Sequence, residues 1–253
     1  MTLHLSVHLL PELIEPEKLR GTTAVVIDVL RATTTICQAL EAGARDVLPC
    51  LTIEDARREA AALPEAQRVL GGERGGLAID GFDLGNSPAE YTVESVGGKT
   101  VVFTTTNGTK AIRQCRHAEQ VWIGCAGNVR AVCDRLATRD EVHLVCAGTE
   151  GQITRDDALI AGAIVEGLMG PESACEPDDV ARLVRAAWRN VRAASMARGM
   201  GLPHHLAVEF EDSRGGRNLL AIGHADDLAV AARMDCFDFV PVLDRETGRI
   251  VRG

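Results

Sequence analysis

The feature of this 253-residue chain that most constrains its fold is the regular alternation of strand-like and helix-like segments. Buried-strand patterns stand at 24–29, 100–104, 120–124 and 141–145. A helical pattern follows each of them, as at 33–42 and 155–169. This alternation predicts a three-layer α/β/α architecture with a mainly parallel or mixed sheet. We expect one unit over residues 1–253, or two intimately packed subdomains divided near the polar, proline-containing stretch 171–177.

The charge balance of the chain limits its partners. Thirty-six acidic side chains stand against 27 basic ones, which gives a formal charge of −9, and there are only two Trp, one Tyr and five Phe. A chain of this kind repels polyanions and offers few rings for stacking bases, so we expect no nucleic-acid partner. The net negative charge is still compatible with a small anionic ligand, because a local group of arginines and backbone N–H groups, together with a divalent cation, can hold it.

The expected cellular location of the protein depends on the length of its apolar runs and on its cysteines. No apolar run approaches the ~20 residues that cross a bilayer, and the first residues show neither a basic leader nor a cleavage site. The eight cysteines include no CxxC pair and mostly lie in apolar segments, so we expect reduced, buried thiols. The sequence therefore predicts a cytoplasmic protein without membrane contact, and it leaves a homodimer open.

Four polar clusters each follow a predicted strand, at 28–35, 73–87, 104–109 and 146–151. In open α/β sheets, ligands bind beyond the carboxyl ends of the strands, so we expect the four clusters to form one site. Their hydroxyls, backbone N–H groups and two arginines suit a phosphate. Their carboxylates suit a hard, oxygen-seeking cation such as Mg²⁺.

Each cluster also has a purely structural interpretation. Asp28 can cap the helix that follows it, and residues 33–35 can simply begin that helix. The run TTTNGT at 104–109 also fits an ordinary turn, because Asn–Gly favours tight turns. Glu73 and Arg74 can form an exposed ion pair that contributes little.

Familiar signatures of other enzyme classes are missing from the sequence. Gly98–Lys99–Thr100 resembles the end of a P-loop, but position 93 is valine and the tripeptide precedes its strand. No GxGxxG opens a helix after a strand, and no GxSxG is found. These absences argue against a dinucleotide fold and against the commonest hydrolase signature.

Longer segments carry a resemblance to a known family. They read VVIDVLRATTTI at 25–36, GGERGGLAIDGFDLGNSPAEY at 71–91, GKTVVFTTTNGTKAI at 98–112 and VCAGTEGQITRDD at 145–157, with a C-terminal pattern from Ser213 through Asp227 to Val240–Pro241. In this order, over nearly the whole chain, they resemble the 2-phosphosulfolactate phosphatases, the ComB-like family. The resemblance implies a magnesium-dependent phosphatase that converts 2-phospho-3-sulfolactate into 3-sulfolactate and phosphate, a step toward coenzyme M. It also implies the family's three-layer α/β fold.

The matched positions supply the candidate site. We expect Asp28, Arg31 and Arg74 to be catalytic. The expected metal ligands are Asp28 and Glu73 first, then Asp83 and Glu150. The expected substrate-binding residues are Thr33, Thr34, Asn86, Ser87, Thr105, Thr106, Asn107, Gly108, Gly148 and Thr149.

Three questions stay open at the level of sequence. Water can attack the phosphate directly or Asp28 can form a phosphoaspartate, although position 30 is leucine and not a second aspartate. A non-catalytic sensor of a phosphorylated or sulfonated metabolite is the competing hypothesis, and acidic residues at the site favour the enzyme. For the second anionic group of the substrate, Lys110, Arg155 and Arg214 are the candidates.

Overall fold

A computed structural model describes residues 2–170 and 174–253 and contains a single mixed sheet. The strands are β1 (Leu3–His8), β2 (Thr23–Ile27), β3 (Asp46–Pro49), β4 (Arg68–Arg74), β5 (Leu77–Ala78), β6 (Thr100–Thr104), β7 (Gln120–Gly124), β8 (Glu141–Cys146), β9 (Cys175–Pro177), β10 (Pro241–Leu243) and β11 (Ile250–Arg252). The helices are α1 (Ala32–Glu41), α2 (Ile53–Ala61), α3 (Val93–Val96), α4 (Gly108–Gln114), α5 (Val129–Leu136), α6 (Arg155–Leu168), α7 (Asp179–Ala197), α8 (Leu202–Glu211), α9 (Arg214–Ala221) and α10 (Asp226–Ala231). The predicted α/β class is confirmed.

The sheet consists of two parallel parts joined by an antiparallel hairpin. Its strand order is β5-β4-β6-β3-β11-β10-β7-β2-β8-β1-β9. Strands β4, β6 and β3 are parallel to one another, as are β7, β2, β8, β1 and β9. The hairpin of β10 and β11 lies between them and pairs antiparallel with β7 on one side and β3 on the other.

The side chains of β2 show how the layers form. All five residues of this strand are buried, and successive side chains point to opposite faces of the sheet. Val25 and Ile27 pack in the core beneath α5 to α9. Ala24 and Val26 pack in a second core with α1 and α4, which also receives Val101 of β6. Both parts of the sheet therefore cover the same pair of helices.

Twist brings the ends of the two parts together. Followed through the antiparallel hairpin, β6 and β2 run in opposite directions along the sheet. Each neighbouring pair adds about 20–25° of twist, so the steps from β6 to β2 accumulate roughly 110°. With the shared core of α1 and α4 beneath them, the loops that follow β6 and β2 meet.

Several local expectations need correction. The glycines of the stretch 71–88 predict one long loop, but β4 continues to Arg74 and forms a hairpin with β5. Ser87 followed by Pro88 predicts the start of a helix, but only a single 3-10 turn follows, and the Ser87 hydroxyl bonds to Asp227. Helices α8 and α9 fill a region in which the sequence predicted no helix.

Two further expectations, a linker at 171–177 and the absence of a membrane span, can be compared with the described residues. Residues 171–173 of the linker lie outside the described residues, while Cys175–Pro177 is a strand paired with β1. Asp178, which follows this stretch, predicts a helix N-cap, and it does cap α7, because its carboxylate accepts a hydrogen bond from the Ala181 N–H at 2.7 Å. Within the two described segments, no helix combines the length and apolarity that crossing a bilayer requires.

Candidate functional site

One cleft collects residues from all four predicted clusters. Asp28 follows β2, Glu73 lies near the end of β4, Thr106 follows β6 and Thr149 follows β8. The remaining lining residues are Leu30, Arg31, Gly75, Gly76, Asn86, Asn107, Glu150, Gly215, Asn218, Leu219 and Ile222. The expectation that the clusters form one site therefore agrees with the structure.

Asp28 is a buried carboxylate between α1 and α4. Its Oδ1 atom accepts a hydrogen bond at 3.3 Å from the Ala32 N–H, the first of α1, so a capping contact is present although Arg31 occupies the N-cap position. Its Oδ2 atom lies beside Gly108, where an added Cβ would stand 2.7 Å from it. Burial, followed by the nearby charges of Glu73 and Asp156, raises the pKa of Asp28 to about 7. Capping and a role in the cleft are thus combined in one side chain.

Glu73 ties the β4–β5 turn to the loop after β6. Its Oε1 accepts from the Thr106 N–H at 2.7 Å, and its Oε2 accepts from the Gly76 N–H at 2.7 Å and from the Thr106 hydroxyl at 3.1 Å. The side chain is buried, so the alternative of an exposed Glu73–Arg74 ion pair is wrong. These bonds fix the carboxylate at the cleft wall.

Arg31 is the cation of the cleft wall, and it is held from two sides. Its Nη1 donates to Asp227 Oδ2 at 2.8 Å, and its Nη2 donates to the Gly76 carbonyl at 2.7 Å. Asp227 also accepts a hydrogen bond from the Ser87 hydroxyl at 2.6 Å. Arg31 is 3% exposed, and the two bonds fix the orientation of its guanidinium, whose three other N–H groups have no partner among the described residues.

Eight of the sixteen predicted site residues do not line the cleft, and Arg74 and Asp83 are two of them. Arg74 follows Glu73 on β4, so its side chain points to the other face, where it donates to the carbonyls of Glu73 and Leu51 and to the Thr104 hydroxyl. Asp83 is exposed, and its Oδ2 accepts from the Leu70 N–H at 2.8 Å. The geometry gives neither residue a contact with a ligand in the cleft.

Most of the predicted threonines support the loops. The hydroxyls of Thr33 and Thr34 donate to the carbonyls of Asp28 and Val29, each at 2.8 Å. The Thr105 hydroxyl accepts from the Thr109 N–H at 3.2 Å. The helix-start interpretation therefore accounts for residues 33 and 34, and Thr105 stabilises the first turn of α4.

The remaining predicted residues divide between shaping and lining the cleft. At Gly108 an added Cβ would come within 2.5 Å of Ala32 Cβ, and Gly148 has a φ of +65°. Neither glycine lines the cleft, and Ser87 is linked to it indirectly, because Asp227, to which Ser87 donates, holds the lining residue Arg31. Asn86 does line it, and its Oδ1 atom is buried with no hydrogen-bond partner among the described residues.

Glu150 lies at the rim and is paired with a residue from another helix. Its Oε2 accepts a hydrogen bond from Arg214 Nη2 at 2.7 Å, and its backbone N–H donates to Asn107 Oδ1 at 3.2 Å. Its carboxylate is thus committed to Arg214, away from Asp28 and Glu73. The structure supports a rim position and gives Glu150 no metal-ligand geometry.

A second layer of carboxylates lies beneath the cleft. Asp157 accepts hydrogen bonds from the N–H groups of Val29 at 2.8 Å and Gly148 at 2.9 Å. Burial raises the pKa of Asp156 to about 6, against the opposing effect of a hydrogen bond with Ser213. Neither aspartate lines the cleft.

Sequence reasoning missed the wall that α9 provides. Gly215 and Gly216 lower helix propensity, so the segment reads as a loop. Gly216 is required by close packing, because an added Cβ would stand 1.8 Å from the Phe210 carbonyl oxygen. Asp227 was also missed as a site residue, since no local motif marks an acid that contacts Arg31 across 196 positions.

The donor set of the cleft fits a hard cation. Asp28, Glu73 and the unpartnered Oδ1 of Asn86 are all oxygen donors that line it. Mg²⁺ is usually held by one or two carboxylates together with several waters, so three such donors suffice. Across residues 2–170 and 174–253 no group of three or more His, Cys, Asp or Glu side chains forms a ready cage. The arrangement therefore suits an open magnesium site.

Comparisons with known proteins assign the class. They place the chain among the phosphoric monoester hydrolases. The model of the 2-phosphosulpholactate phosphatase family matches residues 8–246, and the chain belongs to this family. The resemblance found in the sequence is confirmed.

Individual relatives are similar over most of their length. A probable 2-phosphosulfolactate phosphatase of Symbiobacterium thermophilum is 41% identical over 227 residues, which cover 89% of this chain and 93% of that protein. Proteins with the same description from Caldanaerobacter subterraneus and Prochlorococcus marinus are 38% and 35% identical. The Caldanaerobacter match covers 91% of both chains, and the Prochlorococcus match covers 90% of this chain and 91% of that relative.

Proposed function

We propose that this protein is a magnesium-dependent phosphatase that hydrolyses 2-phospho-3-sulfolactate, or a closely related small 2-phospho acid, to the 2-hydroxy acid and phosphate. The observation that carries the proposal is the pair of buried carboxylates, Asp28 and Glu73, facing one cleft beside the fixed guanidinium of Arg31. A receptor for an anion alone gains nothing from buried carboxylates at its site. A phosphatase that uses a metal requires them.

The two carboxylates and the Asn86 carbonyl would hold Mg²⁺. When bound, the metal supplies positive charge to a phosphoryl oxygen and orients the ester and water. The chain contributes the preformed position of these ligands, because Glu73 is fixed by Thr106 and Gly76 and Asp28 by Ala32.

Arg31 would bind the phosphoryl group. Its two hydrogen bonds leave three N–H donors. From the cleft wall these donors would stabilise the negative charge on the phosphoryl oxygens while the bond between phosphorus and the ester oxygen breaks. Thr106 and Asn107 line the same region and supply further polar groups. Because these groups are fixed before the ester binds, their orientation costs nothing during the reaction.

The test is phosphate release from a panel of 2-phospho acids, each with and without Mg²⁺. We expect turnover that depends on Mg²⁺, with 2-phospho-3-sulfolactate preferred over 2-phospholactate and 2-phosphoglycerate. Binding of these esters without turnover at any magnesium concentration would instead establish the sensor. Equal turnover after removal of divalent cations by a chelator would contradict the metal requirement.

A further inference from the structure

Helix α9 forms a wall of the cleft with one of its faces. Gly215, Asn218, Leu219 and Ile222 line the cleft at the i, i+3, i+4, i+7 spacing of a single helix face. The side chain of Asn218 is exposed there and makes no hydrogen bond within the part of the chain that the structure describes. This wall carries neither of the two carboxylates that would hold the metal. It is therefore positioned for another part of the substrate.

At the start of this helix, Arg214 extends to the rim. Its Nη2 donates to Glu150 Oε2 at 2.7 Å, while the side chains of Arg214 and Glu150 are 44% and 56% exposed. An ion pair this exposed contributes little to stability, because water solvates both groups. An incoming anion can therefore replace Glu150 on Arg214 at little cost.

The charge balance of the cleft requires such a cation. Its lining holds Asp28, Glu73 and Glu150 against Arg31, and the charge of Arg31 is already offset by Asp227. A single Mg²⁺ would offset Asp28 and Glu73, and the free N–H donors of Arg31 are assigned to the phosphoryl group, so no cation of the described lining remains for a second or third anionic group of the ester. A further positive group must therefore lie within reach of the cleft.

The other cations that the sequence proposed for this role lie elsewhere. Arg155 pairs with Glu209 of α8 and lines a separate surface depression between α6 and α7. Lys110 lines another depression, together with residues that follow it on α4. Lys110 touches the cleft residue Asn107 only with its backbone N–H, whereas the side chain of Arg214 bonds to the cleft residue Glu150.

We propose that Arg214, assisted by Asn218, binds the second anionic group of the phosphate ester, a sulfonate or carboxylate oxyanion, and that Glu150 is its counter-ion when the cleft holds no substrate. This inference rests on the proposed function and adds the specificity residues to it. Both side chains belong to α9, so the spacing between phosphoryl and second anion is set by how this helix packs on the sheet. Arginine suits the task because its planar fork matches an oxyanion with two parallel hydrogen bonds.

The experiment compares four esters in wild type and Arg214→Gln. The first ester, 2-phospho-3-sulfolactate, carries both a carboxylate and a sulfonate besides the phosphate. The second, 2-phospholactate, carries only the carboxylate, and the third, 2-sulfoethyl phosphate, carries only the sulfonate. The fourth, ethyl phosphate, carries neither. The ratio of kcat/KM for the first ester to that for ethyl phosphate should fall about 10- to 100-fold, the value of one charged hydrogen bond. Whichever single-anion ester shows the same fall identifies the group that Arg214 binds.

Arg217→Gln is the matched control. Arg217 lies on the same helix, is exposed and donates to the Asp212 carbonyl away from the cleft, so its replacement should leave the ratio unchanged. Arg214→Lys should recover part of the ratio. Equal losses on all four esters in Arg214→Gln, or the same fall in Arg217→Gln, would overturn the proposal.

A binding measurement separates this proposal from the proposed function. Calorimetric titration with 3-sulfolactate should show at least 10-fold weaker binding in Arg214→Gln, with the affinity for inorganic phosphate retained. If wild type releases no phosphate from any ester while this difference in binding remains, the phosphatase assignment fails and the anion subsite stands. If turnover is normal and binding of 3-sulfolactate does not change, the subsite fails and the phosphatase stands.

Discussion

Asp227 Oδ2 lies 2.8 Å from Arg31 Nη1, and both side chains are almost completely buried. The pair joins the loop after β2 to α10, so the guanidinium at the cleft wall is oriented by an acid from the last helix of the fold. The Ser87 hydroxyl donates to the other oxygen of the same carboxylate at 2.6 Å. Three segments that are far apart in sequence thus meet at one buried carboxylate.

Replacing this carboxylate should cost both stability and activity. Asp227→Asn leaves the Arg31 charge buried without its partner, so we expect the free energy of unfolding to fall by about 3 kcal/mol. Turnover should fall as well, because Arg31 loses its fixed orientation. Chemical denaturation and phosphate release measure the two effects. Asp226→Asn, at the exposed neighbouring position, is the control and should change stability by less than about 0.5 kcal/mol; comparable losses in both variants would contradict the role of the buried pair.

Asp28→Asn should separate activity from stability. The amide is nearly isosteric, and it relieves the burial of a carboxylate beside Glu73, so the fold should remain intact. Phosphate release should fall at least about 100-fold, because a hard cation loses a charged ligand. Asp83→Asn is the comparison, since Asp83 is exposed outside the cleft and should keep turnover within about twofold of wild type. Wild-type turnover in Asp28→Asn at ordinary magnesium would refute the assignment.

The stacked pair of His8 and His143 predicts an acid-sensitive contribution to stability. The rings are hydrogen bonded, with 3.0 Å between His8 Nε2 and His143 Nδ1. Burial, with the His143 charge adding to it, lowers the pKa of His8 from 6.5 to about 4. In the unfolded chain His8 binds its proton near pH 6.5, so the stabilising effect of the neutral ring is complete above that value and is lost as the pH falls from 6.5 toward 4.

Denaturation midpoints between pH 7.5 and 4.5 test this prediction. Since His8 is partly solvated, we expect the loss attributable to it to be about 1 kcal/mol after allowance for screening. His8→Gln should show a correspondingly shallower decline than wild type. His204→Gln, at an exposed position on α8, should follow the wild-type curve. An identical pH dependence of wild type and His8→Gln would exclude the contribution.

The cysteines should differ sharply in reactivity. Burial raises the pKa of Cys50, Cys115 and Cys133 to about 12 and that of Cys146 well above its usual range, so few thiolates exist at neutral pH. Partial burial raises the pKa of Cys236 as well, but this residue is exposed, so a reagent can reach it without opening the fold. A thiol reagent should therefore modify Cys236 more rapidly than the buried cysteines under native conditions, without loss of activity.

Cys236→Ser provides the check on that thiol. The rapid phase should disappear in this variant, and a reductant should not raise the activity of wild type. Rapid labelling of Cys146 with loss of activity, prevented by inorganic phosphate, would place that thiol at the site and reverse the conclusion.

The strands and helices could be predicted from the sequence because each of them is marked by a pattern of residues that are neighbours along the chain. The β-branched runs of β2 and β6, and the apolar spacing of α6, are visible in any window of ten residues or so. Helix α9 escaped prediction because Gly216 serves close packing against Phe210 of α8 and Gly215 lies against Asp156 and Leu30, and these requirements exist only in three dimensions.

The same distinction applies to the site. Asp28 and Glu73 were predicted because polar residues at strand ends are a local signal, and the structure brings both to the cleft. Arg74 was assigned to the cleft by its proximity to Glu73, but the two-residue period of a strand turns it away. The contacts of Arg31 with Asp227 and of Glu150 with Arg214 depend on the arrangement of α9 and α10, for which the local sequence contains no signal.

The hairpin of β10 and β11 has a consequence for biogenesis. It joins the two parts of the sheet through single residue pairs, Val242 with Trp122 and Ile250 with Val47. These strands are synthesised after all the others, so on the ribosome β3 and β7 wait as open edges while the rest of the sheet forms. Open edges template pairing between chains, which makes this interval the step at which aggregation competes most directly with folding.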